Sequence, residues 1–169
     1  MACLGFFRDP ERTPPRLAGA ILSPADGQVM EVRDVDDPFV GPATRVAVFL
    51  SPLDVHVNRA PVSGLVKDVE RVPGRFVPAY RADAGAVNER ASVRIEGDRG
   101  RVVVSQIAGA VARRVVCRLR PGDRVEAGER FGMIRFGSRT DLVVPRAAAV
   151  QVRVSDRVIG GVTIVALVS

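Results

Sequence analysis

Apolar residues along this chain recur at every second position more often than at helical spacing, a pattern that predicts strands. Gln28 to Val35 alternates and is closed by Asp36-Asp37-Pro38, while Thr44 to Leu50 is almost wholly apolar and is expected as a buried strand. Ser51-Pro52-Leu53-Asp54 follows with a hydroxyl cap, a Pro for the first helical position and an acid, which mark a helix start. Asn58-Arg59-Ala60-Pro61 stops it at once, so His56 is expected on a single helical turn. Pro61 to Val72 reads as further strand, interrupted at Gly64 and ended by Pro73-Gly74, and Arg75 to Val87 has no period and is predicted as loop. Ala91 to Glu96 and Arg101 to Ile107 alternate on either side of Gly97-Asp98-Arg99-Gly100, a hairpin signal, and Val111 to Leu119 continues as strand.

An internal repeat closes the chain. Residues 119–128, Leu-Arg-Pro-Gly-Asp-Arg-Val-Glu-Ala-Gly, echo residues 152–161, Val-Arg-Val-Ser-Asp-Arg-Val-Ile-Gly-Gly. Each copy reads as strand, tight turn, strand. The expected class is mostly β with few short helices. The hairpins are expected to face each other in a sandwich or barrel resembling biotinyl- and lipoyl-type barrel-sandwich domains. Residues 1–20, charged and Pro-rich after Phe6-Phe7-Arg8, are expected as an N-terminal arm, and residues 21–169 as one domain.

Composition narrows the chemistry. The 169 residues are 47% hydrophobic, enough for a packed core, and 16 Gly with 12 Pro punctuate short elements. The net charge of +6 is nearly all Arg, which suits an anionic surface. Lys67 is the sole Lys and lies in a Val-rich run, which disfavours pyridoxal phosphate chemistry. Cys3, Cys117 and His56 lack metal-ligand spacing, so no metal is expected. No apolar run has the length of a membrane span.

Three candidate chemical residues remain. Asp26 sits in the turn Ser23-Pro24-Ala25-Asp26-Gly27, His56 follows a buried strand, and Ser138 follows Gly137 at the end of an apolar alternation. Glycine tolerates torsions that other residues resist, and a Ser oxygen just after it is placed to attack the preceding carbonyl. Together the three supply an acid, a base and a nucleophile.

Several blocks in this sequence carry a resemblance. They are Phe6-Phe7-Arg8-Asp9-Pro10, Ser23-Pro24-Ala25-Asp26-Gly27 and the long run from Phe49 to Pro61 that contains Leu53-Asp54-Val55-His56-Val57-Asn58-Arg59. Asn88-Glu89-Arg90, Gln106-Ile107-Ala108-Gly109 and Gly132-Met133-Ile134-Arg135-Phe136-Gly137-Ser138 follow in order. They resemble the phosphatidylserine decarboxylase family, most closely its short bacterial and archaeal form. The resemblance implies a proenzyme in which Ser138 attacks the Gly137 carbonyl. The chain would divide into residues 1–137 and 138–169, and Ser138 would become a covalent pyruvoyl cofactor through dehydroalanine and loss of ammonia. It implies His56 as base and Asp26 as its acidic partner. The activity implied is decarboxylation of phosphatidylserine to phosphatidylethanolamine and carbon dioxide through a Schiff base on the pyruvoyl carbonyl.

The chain departs from that family in two places. Longer members carry a second His three residues after the first, where Arg59 stands here, so either His56 serves both reactions or Arg59 assists by charge. Short-form members carry an apolar anchor ahead of the Phe-Phe-Arg block, and only five residues precede it here. Either the start is misassigned or truncated, or the enzyme docks peripherally; the expectation is peripheral association with an anionic membrane surface, on the cytoplasmic face, with Phe6, Phe7 and the Arg excess making the contact. A homo-oligomer is expected. Rival readings fare worse. A carrier module needs a Lys at a hairpin tip, where Glu126-Ala127 and Ile159-Gly160 stand, and a nucleic-acid binder needs aromatic platforms that 5% aromatics do not supply. An ether-linked serine lipid is the alternative substrate, because its headgroup chemistry is the same.

Overall fold

The computed structural model describes residues 8–110, 114–135 and 137–169. Cys3, Phe6 and Phe7, the first part of the strand expected from Val111, and Phe136 lie outside the described residues. In chain order the strands are β1 (Ala20–Leu22), β2 (Gly27–Asp37), β3 (Gly41–Leu50), β4 (Val57–Arg59) and β5 (Gly64–Val72). One helical turn, α1 (Ala84–Val87), precedes β6 (Arg90–Gly97), β7 (Gly100–Ile107), β8 (Val115–Cys117) and β9 (Arg124–Val125). The last are β10 (Arg130–Ile134), β11 (Ser138–Pro145), β12 (Ala149–Val150), β13 (Arg157–Val158) and β14 (Ile164–Leu167). The mostly β class expected from the alternation is what the chain adopts.

Eight strands form one antiparallel sheet in the order β13-β2-β3-β11-β7-β6-β5-β9, and two three-stranded sheets, β1-β14-β12 and β4-β10-β8, complete the fold. Strand β11 lies at the middle of the large sheet, paired along its length with β3 and over Arg139 to Val143 with β7. Leu142 and Val144 point into the main core with Val46, Val48 and Val104, while Val143 packs on the other face against Ala43 and Val103. A strand buried on both faces loses the apolar–polar alternation of a half-exposed one, which is why every residue from Ser138 to Val144 is buried.

Read from its two ends, the strand order pairs β13 with β9, β2 with β5, β3 with β6 and β11 with β7, and the two small sheets correspond in the same way. The bulge between Val29 and Glu31 in β2 recurs between Val66 and Asp68 in β5. The sequence carries a trace of this: Pro24, Gly27, Val29 and Val32 match Pro61, Gly64, Val66 and Val69. The repeat at 119–128 and 152–161 is its second half. Its hairpins occupy opposite edges of the large sheet, β9 on β5 and β13 on β2. The sheet nevertheless curls until those edges meet, since a Cβ on Gly161 would lie 3.5 Å from the Gly128 Cα. The two hairpins thus face each other as expected, but the frame is one curled sheet, which does not establish a likeness to biotinyl and lipoyl carriers.

Local differences have local causes. Residues 51–54 make one turn rather than a helix: the Asp54 N–H bonds the Ser51 carbonyl at 3.0 Å and the Asp54 carboxylate accepts from the Ser51 N–H at 2.8 Å. Val57 to Arg59 is then claimed by pairing with β10, so no second turn forms. The 75–87 segment contains α1, held where Asn88 bonds the Val77 N–H and carbonyl.

Candidate active site

Ser138 is the first residue of β11 and lies opposite Leu50, the last residue of β3. It is fully buried, and its Oγ makes no hydrogen bond among the described residues. A buried hydroxyl without a partner forgoes a bond that burial normally demands, so an unpaired one has a use other than stability. Gly137 immediately before it takes φ +57°, the left-handed region that glycine enters without penalty. The connection from β10 to β11 therefore turns at Gly137 and delivers Ser138 straight into the core.

Both ends of that connection are fastened to the segment that carries His56. Leu50 pairs with Ser138 on one side, and the Ile134 N–H bonds the His56 carbonyl at 3.3 Å on the other. His56 is fully buried, and its Nδ1 lies 2.7 Å from the Asp54 carbonyl. A carbonyl only accepts, so Nδ1 carries the proton and Nε2 is the nitrogen that takes one up. Burial pushes the imidazole below its ordinary 6.5, against the opposing pull of the Asp54 carbonyl and of the Asp54 and Asp26 charges. Burial thus favours the neutral imidazole. Burial would raise Asp54 itself, but bonds from Arg157 and the Ser51 N–H outweigh it and keep the carboxyl below its usual range.

Asp26 stands apart from this pair. Its carboxylate accepts a fork from Arg12, at 2.5 and 2.8 Å, and the Gly160 N–H at 2.8 Å. It reaches His56 only as a charge through space, and the imidazole takes its orientation from the Asp54 carbonyl. Among the described residues no group of His, Cys, Asp and Glu gathers as a metal site, and no helix is long and apolar enough to cross a membrane.

Ser138 is thus buried after a left-handed Gly137, and the backbone from Leu50 to His56 is bonded to both flanks of that connection. The phosphatidylserine decarboxylase family model matches residues 2–166. The phosphatidylserine decarboxylase proenzyme of Symbiobacterium thermophilum is 52% identical over 163 residues, covering 95% of this chain and 76% of that protein. The proenzyme of Granulibacter bethesdensis is 51% identical over 170 residues, covering 97% and 70%, and that of Salinibacter ruber is 47% identical over 166, covering 95% and 73%. This chain belongs to the phosphatidylserine decarboxylase family.

Within that family frame, the residue at the second motif position has a different task. Arg59 is buried and donates to the Gly128 carbonyl at 3.0 Å and the Pro10 carbonyl at 2.8 Å, with Asp9 at 3.7 Å. Arg130 binds Asp9 and Glu11, Arg12 binds Asp26, and Arg8 donates to the Leu53 carbonyl at 2.6 Å. Arg59 thus helps to strap the arm over residues 8–12 against the body, beside the turn that leads to His56.

Other polar residues that sequence reasoning left without a role lie close by. Thr140 shares the face of β11 that carries Ser138, and Gln106 lies opposite it in β7. Asn58 donates to the Thr140 hydroxyl at 3.4 Å, and Gln106 donates to Asn58 and to the Val116 carbonyl, each at 2.9 Å. On the opposite face Arg139 forks onto Asp141 at 2.6 and 3.0 Å. Burial raises the Asp141 carboxyl despite that partner. A polar residue inside an apolar β run was the available signal for Thr140 and Gln106.

Proposed function

We propose that this chain is a self-processing phosphatidylserine decarboxylase whose pyruvoyl group is made from Ser138. The observation that carries the reading is the buried Ser138 hydroxyl, unbonded among the described residues, behind a left-handed Gly137. His56, neutral and tautomerically fixed, takes the hydroxyl proton as Oγ attacks the Gly137 carbonyl. The Ser138 nitrogen leaves that carbon with a proton, so the amide becomes an ester. Loss of the Ser138 Cα proton then breaks the Cβ–Oγ bond. Gly137 departs as a carboxylate, and one water replaces one ammonia at residue 138. The products are residues 1–137 and 138–169.

The residues present fit such a group: the new terminus lies at the start of the central strand, enclosed, and its partner Leu50 leads into the segment that carries the buried His56. The pyruvoyl carbonyl would supply a site that captures the headgroup amine and draws off the electrons left when carbon dioxide departs. His56 then returns a proton to the substrate carbon, and Asp26 favours the cationic imidazole from a distance. Enclosure keeps water from that carbon. Leu53, 84% exposed, and Tyr80, 67% exposed and edge-on to Phe49, stand at this end of the sheet, where they suit a lipid surface presenting the headgroup. The relatives' proenzyme names support processing by the same route.

Intact-mass spectrometry of purified protein tests the reading. The expected result is two fragments, 1–137 and 138–169, the smaller lighter by one ammonia than the same peptide with an N-terminal Ser. A folded chain that stays whole in the presence of phosphatidylserine vesicles would overturn it.

A further inference from the structure

Two motifs found in the sequence, Asn88-Glu89-Arg90 and Gln106-Ile107-Ala108-Gly109, meet directly beneath the bond that Ser138 is proposed to break. The Gly137 carbonyl oxygen lies so close to Gly109 that a Cβ built there would stand 1.6 Å from it. Real Cβ contacts do not fall below 3.0 Å, so any side chain at 109 would push that carbonyl back by more than an ångström or force Gly109 itself to shift. Gly109 has no positive φ, so its own torsions would accept Ala. What requires glycine is the approach of one particular carbonyl.

The segment under that carbonyl is braced from both sides. The Ala108 N–H bonds the Glu89 carbonyl at 3.0 Å, and the Ala108 carbonyl accepts from Asn88 Nδ2 at 2.6 Å. Asn88 is fully buried, and its amide also closes onto Val77, accepting from the N–H at 3.0 Å and donating to the carbonyl at 2.7 Å. An amide with every partner filled has one orientation, so Ala108 and Gly109 form a rigid shelf.

We infer that Asn88 and Gly109 are positioning residues for self-cleavage: they build a backbone shelf, bare of side chains, that holds the Gly137 carbonyl in the pose Ser138 Oγ attacks. The inference rests on the self-processing reading. Attack on a carbonyl tolerates little misplacement, and an ångström costs about a hundredfold in rate.

Gly109→Ala tests it, with Gly64→Ala as a control that also drives a Cβ into a backbone carbonyl, less severely, at the far end of the sheet, where it would lie 2.4 Å from the Glu96 oxygen. Processing is followed by intact mass after expression, with and without hydroxylamine, which cleaves an ester at 137/138 but leaves an amide. The expected outcome is that wild type and Gly64→Ala are cut, Gly64→Ala melting lower. Gly109→Ala should keep a cooperative melt and a native circular dichroism spectrum, yet be processed about a hundredfold more slowly and remain whole in hydroxylamine. Processing of Gly109→Ala within threefold of wild type overturns the inference, as does cleavage by hydroxylamine, which would place the block after ester formation. If Gly109→Ala does not fold, Asn88→Asp decides, because a carboxylate cannot donate to Ala108 and Val77: slowed processing supports the shelf and wild-type processing sinks it. A wild-type chain that never cleaves defeats the self-processing reading instead.

Discussion

Cutting the chain at Gly137 should not divide the molecule. Residues 138–169 carry β11, the strand at the centre of the large sheet, with β12 and β14 in one small sheet and β13 at an edge. To leave, the small fragment must break the ladder with β3 over its whole length and that with β7 over Arg139 to Val143. It must also expose Leu142, Val143, Val144, Val152, Val158 and Val165, all buried. At roughly 1.5–3 kcal/mol for each such side chain, burial alone opposes release by on the order of 10 kcal/mol, an upper figure because the freed fragment would partly collapse. That is comparable with the whole stability of a domain, so release and global unfolding are expected to be one event. The assay is a urea titration of processed protein. Fragment separation is followed by size exclusion and unfolding by circular dichroism, with uncleaved Ser138→Ala as reference. Coincident midpoints are expected. Elution of residues 138–169 as a separate species in native buffer, or at a urea concentration where the spectrum is still native, would refute the reasoning. Leu142→Ala should lower both midpoints together, since emptying that site costs about 2–5 kcal/mol.

His56 makes a pH prediction. Its folded pKa lies below the 6.5 of the free side chain, so the unfolded chain binds this proton first as pH falls. Its contribution is therefore complete above about 6.5 and is lost as pH drops through that value toward the depressed folded one, with Asp54 and Asp26 as the charges that limit the shift. The melting-temperature difference between wild type and His56→Gln, measured from pH 8 to pH 5, should shift against wild type only on the acid side, and processing should slow there too; a difference independent of pH would contradict the assignment. Asp26→Ser should keep most processing activity, whereas Asp26→Ala, which also loses the cap on Gly160, should cost about 1–2 kcal/mol in chemical denaturation. Abolished processing in a stable Asp26→Ser would restore a direct chemical role. Arg59→Ala should free the arm to limited proteolysis, cost about 1–3 kcal/mol, and leave cleavage at 137/138 unchanged; an uncut, folded Arg59→Ala would show that its charge does assist.

The strands were legible because one-face burial writes itself as alternation, and β2, β3, β6 and β7 stand where the pattern predicts them. Burial on both faces erases that signal, yet β11 still reads as Leu142-Val143-Val144. The turn at 51–54 was misread as the start of a helix because its caps are those of a helix; what stops it is the pairing of Val57 with Met133, a partner remote in sequence. Ser138 and His56 were singled out by their neighbours in sequence, and both are fully buried. The bonds of Asp26 were not, since an Asp-Gly turn looks the same whether its carboxylate faces an imidazole or an arginine. The shelf at Gly109 was also hidden, because a glycine required by close approach looks no different from one required by torsion.

The doubled frame separates architecture from chemistry. Asp26 and Ser63 hold equivalent positions ahead of β2 and β5, and they do equivalent work: Asp26 caps the Gly160 N–H at 2.8 Å, and the Ser63 hydroxyl caps the Ala127 N–H at 2.8 Å. A position that does the same work in both halves belongs to the frame, whatever side chain fills it. The residues entering the small sheets differ instead. Gly19 precedes β1, with its φ of +79°, and His56 precedes β4. One half puts a bare backbone where the other puts the only imidazole in the chain, and symmetry alone cannot account for that difference. The frame therefore gives Asp26 a folding task that Ser63 shares, and leaves His56 as the residue that the repeat does not explain. Asp26→Ser is the sharpest substitution for that division, because it installs the residue that the other half already uses.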